Sequence, residues 1–209
     1  MFRALGSCLV LLASVGCQGA VAEAPAKCQP LNASSPASVA PLASQSATAP
    51  AIPPELAVPE GAQLLLKARG KGAQIYVCAP KPDDANAFDW KLKAPDADLF
   101  DDQGAKVAHH FAGPTWQAND GSSVVGNLVK KLDAPDAQAI PWLLLVSKET
   151  KGPGFFEHVT HIQRVATSGG KAPALGCDVS HLNAEVSVPY EASYYFYASS
   201  GTSPSSKPD

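Results

Sequence analysis

Glu185-Val186-Ser187-Val188-Pro189-Tyr190-Glu191-Ala192-Ser193-Tyr194-Tyr195-Phe196-Tyr197-Ala198 is the stretch that decides the fold. Val186, Val188, Tyr190, Ala192, Tyr194, Phe196 and Ala198 share one face, because successive side chains of an extended chain alternate sides. Glu185, Ser187, Pro189, Glu191 and Ser193 share the other face, until Tyr195 and Tyr197 make both faces apolar. Strict period two over this length is a half-buried strand, with the tyrosines packed on two faces. Pro189 has no N–H to give to a ladder, so it predicts an edge position or a bulge at that point.

Shorter segments of the same kind precede it. Residues 63–68 and 73–78 flank Arg69-Gly70-Lys71-Gly72 and read as a hairpin whose glycines supply positive φ. Residues 88–93, 99–100 and 106–111 are separated by turn signals, among them Asp101-Asp102-Gln103-Gly104. Gly113-Pro114 and Asn119-Asp120-Gly121 bracket residues 115–117, and residues 122–129 return. The continuous apolar run 140–147 has the length of a buried strand. Gly152-Pro153-Gly154 leads into residues 155–167, rich in β-branched and aromatic side chains. Only residues 125–132 and 178–184 offer a short helical turn. The expectation is one all-β, antiparallel domain over residues 55–198, a β-sandwich or flattened barrel with one disulfide.

The N-terminus reads as an export signal. Arg3 precedes an apolar run, residues 4–15, that is too short to span a bilayer as a helix. Ala20-Val21-Ala22 is a small-residue cleavage site, giving a signal peptide of residues 1–22. Ser14-Val15-Gly16-Cys17 resembles a bacterial lipobox with Ser in place of the usual Leu, which would end the signal at residue 16 and acylate Cys17. Residues 23–54 are a linker dominated by Ala, Ser and Pro, and residues 28–54 carry no charge at all. Such a tether suits a domain held off a membrane by lipid. Gln18 after the cysteine favours sorting to an outer membrane in a Gram-negative host. The expected location is an outer-membrane or cell-surface lipoprotein, otherwise a secreted or periplasmic protein. Residues 199–209 are a Ser/Pro/Gly-rich tail, expected to be disordered.

Charge narrows the partners. The net charge is −3 and Lys and Arg are not clustered. Nucleic-acid binding is disfavoured, and so is electrostatic attachment to anionic lipid. Membrane contact is expected only through a lipid on Cys17, and the chain is expected to be monomeric. Of the five cysteines, Cys8 and Cys17 lie in or at the signal. Cys28 falls in the linker, while Cys78 and Cys177 fall in the folded segment. An exported domain oxidises paired thiols, so Cys78–Cys177 is the expected bond. The alternative is two buried free thiols.

Several strings taken together carry a family resemblance. They are Gln74-Ile75-Tyr76-Val77-Cys78, Ala94-Pro95-Asp96-Ala97-Asp98-Leu99, His110-Phe111-Ala112-Gly113-Pro114-Thr115-Trp116 and Asp120-Gly121-Ser122-Ser123-Val124. Ile140-Pro141-Trp142-Leu143-Leu144, Val159-Thr160-His161-Ile162-Gln163-Arg164, Gly169-Gly170-Lys171-Ala172-Pro173, Val188-Pro189-Tyr190 and Tyr195-Phe196-Tyr197 complete the set. Their order and spacing over residues 50–198 resemble domain-of-unknown-function family 3455, found in exported bacterial and fungal proteins. The resemblance implies a cysteine at both Cys78 and Cys177 and supplies no activity. His109 departs from the family pattern, which has one histidine, corresponding to His110.

Candidate site residues cluster between His110 and Ser122. His110, Asp120 and Ser122 have the residue types of a hydrolytic triad, but Asp120 sits in an Asn-Asp-Gly turn where Asp has an ordinary structural role. Ser122 lacks the flanking glycines of a nucleophile elbow. Trp116, between two turns, is the more exposed of the three tryptophans in this reading, and Trp142 the core one. His110, Trp116, Asp120 and Ser122 are therefore the expected ligand-binding surface, suited to a glycan or another small polar molecule. His158 and His161 would point to opposite sides of a strand, and His109 and His110 likewise, so no metal site is expected. Gly70-Lys71-Gly72 lacks the third glycine and the following helix of a dinucleotide loop, and no cofactor is expected. The first function expected is a non-catalytic, surface-tethered binding or structural module. The alternative is a secreted hydrolase using His110 with Asp120 and Ser122.

Overall fold

A computed structural model describes residues 52–201. The signal, Cys17, Cys28, nearly all of the linker and most of the C-terminal tail lie outside the described residues. Eight strands follow one another around a closed antiparallel barrel in chain order. They are β1 (Gln63–Lys81), β2 (Asp84–Phe100), β3 (Lys106–Phe111), β4 (Thr115–Ala118), β5 (Ser123–Leu132), β6 (Trp142–Lys151), β7 (His161–Gly169) and β8 (Glu185–Ala198). The ring closes where β8 pairs with β1, from Gln63↔Ala198 to Val77↔Glu185. The fold is all-β and antiparallel, in the barrel form, with one disulfide.

The decisive stretch is one continuous strand with the expected inner face. Tyr190, Ala192, Tyr194, Phe196 and Ala198 are buried. Pro189 lies one residue beyond the last β7–β8 pair, Gly169↔Tyr190. Its missing N–H therefore falls where the β7 side has no ladder to feed.

The expected hairpin at Gly70 and Gly72 does not form. β1 runs straight through both glycines, and the tight connection comes later, between Lys81 and Asp84. The glycines are there because the barrel has no room for a side chain. A Cβ on Gly70 would lie 2.5 Å from Tyr194 Cε2, and one on Gly72 would lie 2.1 Å from the Asp96 carbonyl oxygen. β2 likewise runs unbroken through Pro95. Residues 125–132 belong to β5 rather than to a helical turn. Residues 155–158 form a turn, and β7 starts only at His161.

Small and large residues divide the interior. Ala68, Gly70, Ala97 and Ala108 come from β1 to β3 and leave space for Trp116, Tyr190, Tyr194 and Phe196. Alternation of this kind fills a small barrel with side chains. A second apolar cluster covers the outside. Leu56, from a single 3-10 turn at Pro54–Leu56, packs with Leu144, Val165, Tyr195 and Tyr197. This explains why β8 turns apolar on both faces at its end. Gln163 fixes the cover strap, donating from Nε2 to the Leu56 carbonyl and accepting at Oε1 from the Tyr197 hydroxyl. Cys78 and Cys177 are bonded, with Cα atoms 5.3 Å apart, joining β1 to the connection between β7 and β8.

Candidate functional site

β3 and β4 bring His110 opposite Trp116 in register. Both side chains point inward, with 2 % and 1 % of their surface exposed. Trp116 is thus not an exposed stacking face. Its indole is enclosed by His110, Tyr194 and Phe196, because Gly126 and the alanines of the neighbouring strands let it lie flat inside the barrel. His110 Nδ1 donates to the Thr115 carbonyl at 2.9 Å, which leaves Nε2 as the acceptor. Burial pushes the imidazole pKa down to about 3, and the nearby charges of Arg164 and His109 act in the same direction. His110 is therefore a neutral ring near pH 7.

Asp120 and Ser122 sit elsewhere, on the β4–β5 turn. Asp120 Oδ1 accepts from the Ser122 hydroxyl at 2.6 Å and from the Ser122 N–H at 2.9 Å. Asp120 Oδ2 accepts from the Phe155 N–H at 2.8 Å, and Ser122 Oγ accepts from the Phe156 N–H at 3.0 Å. These bonds hold the carboxyl of Asp120 below the usual carboxylate range. The pair latches the β6–β7 loop onto the turn and seats Phe156, which is fully buried. No hydrogen bond joins His110 to Asp120 or Ser122 among the described residues, so the triad types are not assembled as a triad.

The remaining candidates also separate. His109 faces outward and pairs with Asp98 at 2.8 Å and Asp96 at 3.4 Å. His158 lies in the turn before β7, and His161 opens that strand. Trp90 Nε1 donates to the Leu175 carbonyl at 3.0 Å. Trp142 is half-buried in the outer cluster rather than in the barrel core.

Two recesses border these residues. One, of about 280 Å³, is walled by Leu66, Val107, Ala118 and Phe155 beside Asp120. The other, of about 360 Å³, opens beside His110. Its walls are apolar, formed by Pro95, Pro114, Leu143 and Leu145, with Leu92 and Leu128 at the rim. Those two leucines are 57 % and 51 % exposed. Its polar groups are His110, Gln74, Arg164 and Lys93.

Gln74 and Arg164 give this mouth its chemical character. Gln74 is 2 % exposed; its side chain lies near the Tyr190 hydroxyl, yet its Nε2 makes no hydrogen bond of normal geometry. Arg164 follows Ile162 on the inward face of β7, and its guanidinium donates from Nε and Nη2 to the Pro141 carbonyl at 3.3 and 2.9 Å. No carboxylate pairs with it among the described residues. A permanently charged fork is thus held by neutral groups, the Pro141 carbonyl and the Tyr194 hydroxyl, with no counter-charge among the described residues. Neither residue was singled out as a site from sequence. The signal for Arg164 is a charge placed in phase with the apolar Ile162.

The class is therefore that of a disulfide-stapled, closed β-barrel domain, filled by aromatic side chains and open to a small recess at a mouth containing His110. The chain belongs to the family described as a protein of unknown function, DUF3455, which it matches over residues 59–198. No curated protein and no solved structure matches it.

Proposed function

We propose that the domain is a non-catalytic binding module of an exported protein, and that its ligand site is the mouth beside His110, Gln74 and Arg164. The observation that carries this reading is the unpartnered Gln74 Nε2 facing an apolar-walled recess. A buried donor without an acceptor costs free energy, and such groups in a native structure need an explanation. A ligand acceptor supplies one. The recess also falls in the size range of small-molecule sites, roughly 300–1,000 Å³. The hydrolase reading is weaker, because Ser122 is bonded to Asp120 and Phe156 rather than to an imidazole.

Backbone amide shifts on titration with a small-molecule library test the proposal. Compounds that shift the amides of Ala94, Gly113 and Leu128 together support it. A library that leaves all three unmoved overturns it, as does a hydrolytic activity lost in Ser122→Ala. The tether is proposed on the sequence alone: Cys17 carries lipid and the linker holds the barrel away from an outer membrane. Mass spectrometry of the mature N-terminus checks this, and an unmodified N-terminal Glu23 would reject it.

A further inference from the structure

We infer that the ligand of this mouth is a monoanion, a carboxylate carried on a short apolar body, with the carboxylate on the Arg164 guanidinium and on Gln74 Nε2. This rests on the reading of the mouth as a binding site and names the chemistry it selects.

Charge is the first reason. Arg164 is half-buried, and its guanidinium finds only neutral partners, the Pro141 carbonyl and the Tyr194 hydroxyl. A cation withdrawn from water and left without a counter-charge is unfavourable. A planar carboxylate matches a planar, charged guanidinium better than any neutral acceptor. Donor count is the second reason. Gln74 Nε2 adds an unpartnered donor to the same recess. His110, neutral with Nε2 as acceptor, adds no positive charge. Lys93 also borders the recess, but its ammonium is engaged by Glu185. One guanidinium, already shared with neutral partners, and one amide suit a singly charged carboxylate; they are too few for a phosphate dianion with three acceptor oxygens. The walls are the third reason. Leu92 and Leu128 at the rim, with Pro95, Leu143 and Leu145, bury hydrocarbon and offer it no polar partner.

The test is an amide-shift titration of the protein with four probes: hexanoate, hexan-1-ol, hexylammonium and inorganic phosphate. Hexanoate is expected to shift Ala94, Gly113 and Leu128 and to bind about tenfold more tightly than hexan-1-ol, the difference made by a charge-assisted hydrogen bond. Arg164→Gln is expected to remove that margin. Added salt in the unmodified protein should weaken hexanoate and leave hexan-1-ol unchanged, a readout that does not depend on the variant folding. Equal binding of hexanoate and hexan-1-ol at these amides overturns the anion assignment while leaving the binding module intact. Preference for phosphate or for hexylammonium overturns the carboxylate in favour of that chemistry. If none of the four probes shifts the mouth, the carboxylate assignment is overturned. The binding reading itself then stands or falls on the wider library.

Discussion

The imidazole of His110 lies on the indole of Trp116 with ring centroids 4.2 Å apart and planes 3° from parallel. The stacked pair is buried, with Tyr194 edge-on to the imidazole, and it is this removal from water that disfavours a proton on the ring. In the unfolded chain the same histidine titrates near 6.5. The folded value is depressed, so between about 6.5 and about 3 the unfolded state binds the extra proton. Stability is then fully present above 6.5 and falls as pH is lowered through that window, by roughly 1.4 kcal/mol per pH unit. His161, also shifted downward by burial, acts in the same direction. Urea titrations at several pH values should show this slope, and His110→Gln should flatten most of it. An unchanged slope in the variant would mean that the ring is not held neutral by burial.

Asp120 and Ser122 are predicted to matter for stability and not for turnover. Asp120→Ala strips the acceptors from the Ser122 hydroxyl, the Ser122 N–H and the Phe155 N–H. Hydrogen bonds to a charged acceptor contribute more than neutral ones, and an expected loss is about 2 kcal/mol. Ser122→Ala, which frees the Phe156 N–H and takes one of three donors from Asp120, should lose less, about 1 kcal/mol. The depressed carboxyl of Asp120 makes its contribution present above the unfolded carboxylate value, about 3.9, and lost as pH falls through the folded value. Shifts in the urea midpoint at constant slope are the measurement. Variants as stable as the parent would remove the latch.

β8 was legible because one face of it is dry and the other mostly wet, so side-chain chemistry follows the period of the backbone. The barrel's closure was not, because it depends on which strand meets β1, and pairing partners leave no mark within a single strand's alternation. Gly70 and Gly72 misled for a related reason. Glycine serves both tight turns and crowded interiors, and only the position of Tyr194 and Asp96 across the barrel tells them apart. The same limit applied to the site. His110 and Trp116 stand among turn residues in the chain, yet two-residue spacing around a short β4 sends Trp116 inward opposite His110. The Cys78–Cys177 bond was readable because export and position left few alternatives.

Gly72→Ala should be among the most damaging single-methyl changes in the domain. The added Cβ would meet the Asp96 carbonyl oxygen at 2.1 Å and Ala97 Cα at 2.4 Å. Both are backbone atoms of the adjacent strand, so relief requires moving the sheet. Overpacking of this kind costs typically about 1–3 kcal/mol or more. Gly104→Ala is the control: its φ is +82° but nothing lies within 4 Å of the added carbon. It carries only the left-handed strain of about 1–2 kcal/mol. Thermal melts of the two variants should rank Gly72→Ala as the less stable. The opposite order would argue for a turn at Gly72 rather than a strand.

Reduction of Cys78–Cys177 is predicted to loosen one end of the barrel rather than to empty it. The bond spans 99 residues of sequence, and the chain-entropy model gives up to about 4.7 kcal/mol for a loop of this size. Much of the neighbouring structure is held independently. The Cys78 N–H donates to the Ala184 carbonyl, and the Asn183 N–H donates to the Cys78 carbonyl, both at 2.9 Å. Asp178 caps the short turn at Val179–His181 through Ser180. Neither cysteine belongs to the barrel's interior cluster, whose aromatic side chains include Trp116, Tyr194, Phe156 and Phe196. The double variant Cys78→Ala/Cys177→Ala should therefore fold under mild conditions with a lower urea midpoint. Its amide hydrogen exchange should be fastest in residues 170–184 and least changed in β3 and β4. Uniformly accelerated exchange would mean that the bond holds the whole barrel, and an unchanged midpoint would mean that the backbone contacts at Cys78 suffice without it.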